Sequence, residues 1–107
     1  MKAGTVVISS FPGIAATKRR PSVVISAAAY HTERPDVILA LITTNITSAV
    51  KTTDYILQDW SAAGLNRPSA VRAFLFTLPV SEVTQIGQLS DRDWAEVQNR
   101  LRIALEV

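Results

Sequence analysis

The chain has 107 residues, 48% of them hydrophobic, and its 11 basic and 9 acidic residues leave a formal charge of +2. That length suits one domain with a real core, and the composition argues against global disorder. Cysteine is absent, which excludes disulfides, a thiol nucleophile and cysteine-ligated metal, and fits a reducing cytoplasm.

The opening MKAGTVVISSF is short and broken by Ser and Pro, so it reads as a first strand, Thr5 to Ser10, and not as a secretory leader. Pro12 and Gly13 mark a turn before the consecutive bases Lys18, Arg19 and Arg20. Ser22 to Ala28 is β-rich, and Pro21 suits a strand's first position, where a missing N–H is tolerated. His31 to Asp36, HTERPD, reads as a polar connection. Val37 to Thr43, VILALIT, is the most hydrophobic run and its Val/Ile content favours a buried strand. No apolar run approaches the roughly 20 residues needed to cross a bilayer.

Thr52 to Leu57 reads as a strand, and Trp60 to Leu65 as a helical turn or loop ending near Gly64. Pro68 and Pro79 bracket Ser69 to Leu78 at strand length. Val83 to Leu89 is a sixth strand, in which Gly87 marks a bulge or a close backbone approach. Ser90 is a good helix N-cap, with Asp93 in the place of the usual capping-box Glu. Trp94, Val97, Leu101, Ala104 and Leu105 recur at helical spacing, and Arg92 is placed to pair with Glu96 one turn on. The expectation is one domain over residues 1–107: mainly β, a small barrel-like sheet with a C-terminal helix packed against it.

The chemistry is narrow. His31 is the lone histidine, and in a polar loop it reads as solvated. No HExxH, P-loop or dinucleotide fingerprint occurs, so neither a metal nor a cofactor is expected. Trp94 reads as core; Trp60 is left between core and interface. Lys18, Arg19 and Arg20 form either a solvated loop edge or a phosphate site, since the guanidinium fork matches phosphate oxygens. Arg34, Arg67 and Arg72 lie in or near other loops, and a positive face forms if these loops converge. Thr43, Thr44 and Asn45 end the hydrophobic strand, where small polar groups either make a turn or orient donors to a ligand.

GTVVISSFPG followed by KRRPSVVIS resembles the N-terminal signature of MazF/PemK-like toxins, a strand, a loop and then Arg–Pro before an apolar strand. ALITTN, Ala40 to Asn45, is similar to that family's second block, GLNRPSAVR, Gly64 to Arg72, to its third, and IGQLSDRDWAEVQNRL to its helix entry. The resemblance implies an SH3-like β-barrel of the MazF/Kid/CcdB type with a C-terminal helix. It implies a metal-independent endoribonuclease toxin of a type II toxin–antitoxin system, cutting single-stranded RNA at short motifs. Its partners would be a cognate antitoxin and a second copy of the chain, in the cytoplasm.

Within that resemblance the catalytic arginine falls on Arg20 and the catalytic threonine on Thr43. Lys18, Arg19, Thr44, Asn45, Ser69 and Arg72 are the expected RNA-binding residues. Many members have an acidic residue where Ser10 falls, and some have a catalytic aspartate where Ser69 falls. Two alternatives are a non-catalytic RNA- or protein-binding module on the same fold and a gyrase-directed toxin.

Overall fold

A computed structural model describes residues 1–10, 19–47 and 51–107. Its elements in chain order are β1 (Thr5–Ser10), β2 (Arg19–Val24), α1 (Ala28–Glu33), β3 (Asp36–Thr43), β4 (Tyr55–Ile56), β5 (Ala70–Pro79), a single 3₁₀ turn (Val80–Glu82), β6 (Thr84–Gln88) and α2 (Asp91–Leu105). The strands form one curled antiparallel sheet in the order β4-β5-β3-β2-β1-β6. The mainly-β fold with a C-terminal helix follows the sequence expectation.

Strand alternation sorts the core into two faces. Val6, Val23, Ala40, Ile42 and Val71 pack on one side with Leu65, Leu89 and Val97, the last from α2. Val7, Val24, Val37, Leu39 and Leu78 form the opposite cluster. β4 and β6 are the sheet's ends, but the turn after β4 comes against β6. A Cβ built on Gly87 would sit 2.0 Å from the Ala63 carbonyl oxygen, so only a residue without a side chain permits this approach. The expected close approach at Gly87 is therefore met. The bulge lies beside it, where the β1–β6 register shifts between Val6 and Val7.

Several local expectations are corrected. The second strand stops at Val24, not Ala28, because Ala28–Glu33 turns into a short helix. Alanines favour helix over strand, and Pro35 follows its end. Tyr30 Oη donates to Asp36 Oδ2 at 2.6 Å, which ties α1 to the start of β3. His31 is not merely solvated. Its Nδ1 lies 2.9 Å from the Met1 carbonyl, which can only accept, so Nδ1 carries the proton. Its Nε2 then accepts from Ser26 Oγ, whose own oxygen accepts from Ile38 N. β4 is shorter than Thr52 to Leu57 because the Asp54 carboxylate takes the Lys51 N–H at 3.0 Å and turns the chain.

α2 begins as expected, with the Ser90 side chain accepting from Asp93 N. The Asp93 carboxylate does not complete a capping box. It is fully buried and accepts from Tyr55 Oη at 2.7 Å, Gln58 N at 3.1 Å and Asp59 N at 2.8 Å. Arg92 pairs with Asp59 and not with Glu96, through Nε and Nη2, both at 2.7 Å. Glu96 instead lies 4.0 Å from Arg100. The apolar stripe is buried at Val97, half-buried at Trp94 and Leu101, and exposed at Ala104 and Leu105. Trp60 packs against the core, which answers the question left open for it.

Candidate functional site

The β2–β3 ladder runs Val24↔Leu39, Val23↔Ala40, Ser22↔Leu41. Continued by one pleat, that register sets Arg20 across from Thr43, both on the face that carries Val24 and Leu39. On the other side Arg20 pairs with Ser9 of β1, a residue only 1% exposed. Pro21 fixes the backbone next to Arg20 in extended form. Arg20 is half-buried, and its guanidinium has no hydrogen bond or ion pair to any described residue. Thr43 Oγ1 accepts from Asn45 N at 3.1 Å. That bond orients the hydroxyl and leaves its proton free to donate. Thr43 and Arg20 thus present a hydroxyl donor and a cation at neighbouring strand ends. Two residues along from Arg20, on the same face, Ser22 Oγ is buried without a partner among the described residues.

Arg19 points to the other face. Its Nη2 donates to the Ile8 carbonyl at 3.3 Å and to Thr84 Oγ1 at 3.2 Å. It borders a cleft of about 240 Å³ with Thr44 and Ser69. The structure therefore divides the expected residues: Arg20 and Thr43 on one face, Arg19, Thr44 and Ser69 on the other. Ser69 is buried and its hydroxyl donates to the Arg67 carbonyl at 2.8 Å, so it stands as a turn-stabilising group. Asn45 closes the turn after β3, where its Oδ1 accepts from Thr47 Oγ1 at 3.4 Å.

Arg72 is not brought to this cleft. Its Nε lies 4.0 Å from Asp54 Oδ1, and it borders a separate cavity with Lys51, Thr53 and Phe74. Arg34 borders another, with Met1 and His31. Of the basic loops expected to converge, those of Arg19 and Arg67 do so. Lys18 lies outside the described residues. The sequence reading passed over Leu65 and Asn66, which also line the cleft; the turn punctuation of GLNRPS was the available signal.

Among the described residues no group of His, Cys, Asp and Glu is placed to hold a metal ion. Residues 11–18 and 48–50 contain none of those four residue types. Among the described residues no helix is long and apolar enough to cross a membrane.

A curled antiparallel sheet with a C-terminal helix packed on it defines a small, mainly-β class of protein. The chain belongs to the family of PemK-like, MazF-like toxins of type II toxin–antitoxin systems, whose family model matches residues 2–105. Among solved structures it is similar to an endoribonuclease in complex with its cognate antitoxin from a mycobacterial species, with a TM-score of 0.82, 20% identity, and coverage of 100% of this chain and 96% of that one. It is likewise similar to the Mycobacterium tuberculosis toxin MazF-mt6, with a TM-score of 0.77, 23% identity, and coverage of 96% and 97%. A MazE–MazF structure from Deinococcus radiodurans gives a TM-score of 0.75 at 23% identity, covering 98% and 94%. These likenesses establish the fold. Among curated proteins, none matches the chain by sequence.

Proposed function

We propose that residues 1–107 act as one toxin domain, a sequence-selective endoribonuclease that cleaves single-stranded RNA without metal in the cytoplasm. The reading is supported by the β2–β3 register, which on strand alternation carries Arg20 and Thr43 on one face, in a chain of the PemK-like, MazF-like toxin family. The scissile phosphate sits between them. The RNA 2′-oxygen bonds to phosphorus as the bond to the 5′-oxygen breaks, leaving a 2′,3′-cyclic phosphate and a 5′-hydroxyl. The 2′-proton leaves to solvent and the 5′-oxygen takes one up. Arg20 stays charged and is a poor base, so its part is to stabilise the charge that gathers on the phosphate oxygens. Thr43 donates its free proton to one of those oxygens and holds the phosphate in place.

Lys18, Arg19, Thr44, Asn45, Ser69 and Arg72 are the proposed RNA contacts, Arg72 at the far edge and Ser69 through the turn it holds. The protein works as a homodimer and is neutralised by a cognate antitoxin. The test is incubation of the purified protein with a long RNA in excess EDTA. Fragments with 2′,3′-cyclic phosphate and 5′-hydroxyl ends are expected. Activity lost in EDTA and restored by Mg²⁺ would overturn the metal-free mechanism.

A second reading, a non-catalytic RNA-binding module, is favoured by one observation. Where some members of the family resembled have a catalytic aspartate, Ser69 is buried and spends its hydroxyl on Arg67 O. A protein that binds RNA and cuts none would decide for that module.

A further inference from the structure

We infer that the cleft behind Arg20 and Thr43 is a base-recognition pocket, taking one nucleobase of the RNA strand whose phosphate lies at that pair, with Asn66 reading the base edge. The inference rests on the RNA-directed reading above and deepens it. The cleft measures about 240 Å³, below the roughly 300–1,000 Å³ of pockets for drug-sized ligands. It suits a single ring system and not a folded peptide.

Its lining matches a flat, polar-edged ring. Ile8, Pro21, Leu65 and Ile86 supply apolar walls, against which the face of a base can lie. Asn66 is exposed on the same cleft, and its side-chain amide has no hydrogen-bond partner among the described residues. An amide sets a donor and an acceptor side by side, the pattern by which Asn pairs with a base edge. Thr44 adds an exposed hydroxyl at the rim.

The charge fits a nucleic-acid strand. Arg19 and Arg67 both border the cleft and, among the described residues, no acidic residue does, so a polyanion is attracted and an acidic wall does not repel it. The frame is rigid. Arg19 is held by Ile8 O and Thr84 Oγ1. Gly64 has a φ of +89° and its backbone is pressed on Ile86, with a built Cβ falling 2.4 Å from the Ile86 carbonyl oxygen. Only glycine allows that turn to reach β6 and form the cleft's rim.

Position links the pocket to the cleavage pair. Arg19 and Thr44 are the immediate chain neighbours of Arg20 and Thr43, about 3.8 Å away along the backbone, and face the other side of the strands. An RNA strand that wraps these two strand ends sets its phosphate on one face and the adjoining base on the other.

The experiment maps 5′-hydroxyl ends in a long RNA cut by the full chain, comparing wild type with Asn66→Ala and Asn66→Asp, both at an exposed position. Wild type is expected to favour one base at one position beside the cut. Asn66→Ala should lower that discrimination by about 10-fold while other positions keep theirs, and Asn66→Asp, which loses the amide donors, should change which base is favoured. Unchanged preference in both variants overturns the pocket and leaves the endoribonuclease reading standing. Wild-type cleavage with no base preference also overturns it. If wild type cuts no RNA, the endoribonuclease reading fails, and binding of labelled rA, rC, rG and rU hexamers decides the pocket. A ranking altered by Asn66→Ala supports it; an unaltered ranking overturns it.

Discussion

At the scale of single residues, neighbouring arginines do different things because a strand sends alternate side chains to opposite faces. Arg19 is tied to Ile8 O and Thr84, whereas Arg20 is free among the described residues and faces the Thr43 side. Arg20→Ala should lower single-turnover RNA cleavage by about 100-fold or more, by analogy with loss of one transition-state donor. Thr43→Ala should also slow cleavage, with less effect on binding, and Thr43→Ser should restore much of it. Arg19→Ala should weaken binding more than chemistry, and the loss should shrink as salt rises. Circular dichroism checks that each variant folds. Undiminished rates in both Arg20→Ala and Thr43→Ala would end the assignment.

At the scale of elements, the junction between α2 and the segment after β4 is built from acids serving as acceptors. Asp93→Ala would leave Tyr55 Oη and the Gln58 and Asp59 amides without their partner. Each buried group so stranded costs about 1–3 kcal/mol, so a loss of about 3 kcal/mol is expected in urea unfolding. A midpoint unchanged from wild type would show that the carboxylate is not structural. The same junction makes stability depend on pH. Hydrogen bonds from Arg92 and then Ser90 lower the Asp59 pKa from 3.8 to about 2. Its contribution is therefore complete above about pH 4 and is lost as pH falls through 2. Arg92→Ala should flatten that acid limb of a urea-midpoint profile. At the other end, burial and then the bond to Asp93 raise Tyr55 from 10.0 to about 12. Its contribution is present below pH 10 and is lost as pH climbs through 12. Tyr55→Phe should remove the alkaline limb.

At the scale of the whole molecule, the sheet curls until the turn after β4 touches β6, and glycine at positions 64 and 87 permits that contact. The outer apolar surface is less complete. Phe74, Ile103, Leu105 and Val107 are 51%, 55%, 48% and 82% exposed. Exposed apolar surface of this kind favours a second copy or another partner. The proposed homodimer should scatter light as twice the 11.6 kDa chain across a concentration series. A mass that stays at the single-chain value would remove the dimer from the proposal.

What the sequence determined by itself was local. β1 matches its expected span of Thr5–Ser10, β3 begins one residue early at Asp36, and α2 starts after the expected Ser90 cap. These follow from β-branched alternation, helical spacing and capping chemistry, which act between near neighbours in the chain. The family, too, was legible in the order of Arg–Pro, the Thr-ended strand and the helix entry. The tertiary structure decided the rest. Asp93 and Arg92 had plausible local partners, but Tyr55 and Asp59, more than thirty residues away, took their charges. Helix α1, favoured by its own alanines over the expected strand, is tied in place where Tyr30 and His31 meet Asp36, Ser26 and Met1. The cleft joins Ile8, Leu65, Asn66 and Ile86, which no periodicity relates. Local preference is worth tenths of a kcal/mol per residue, whereas stranding a buried polar group costs about 1–3 kcal/mol. At Asp93 and Arg92 the long-range partners won.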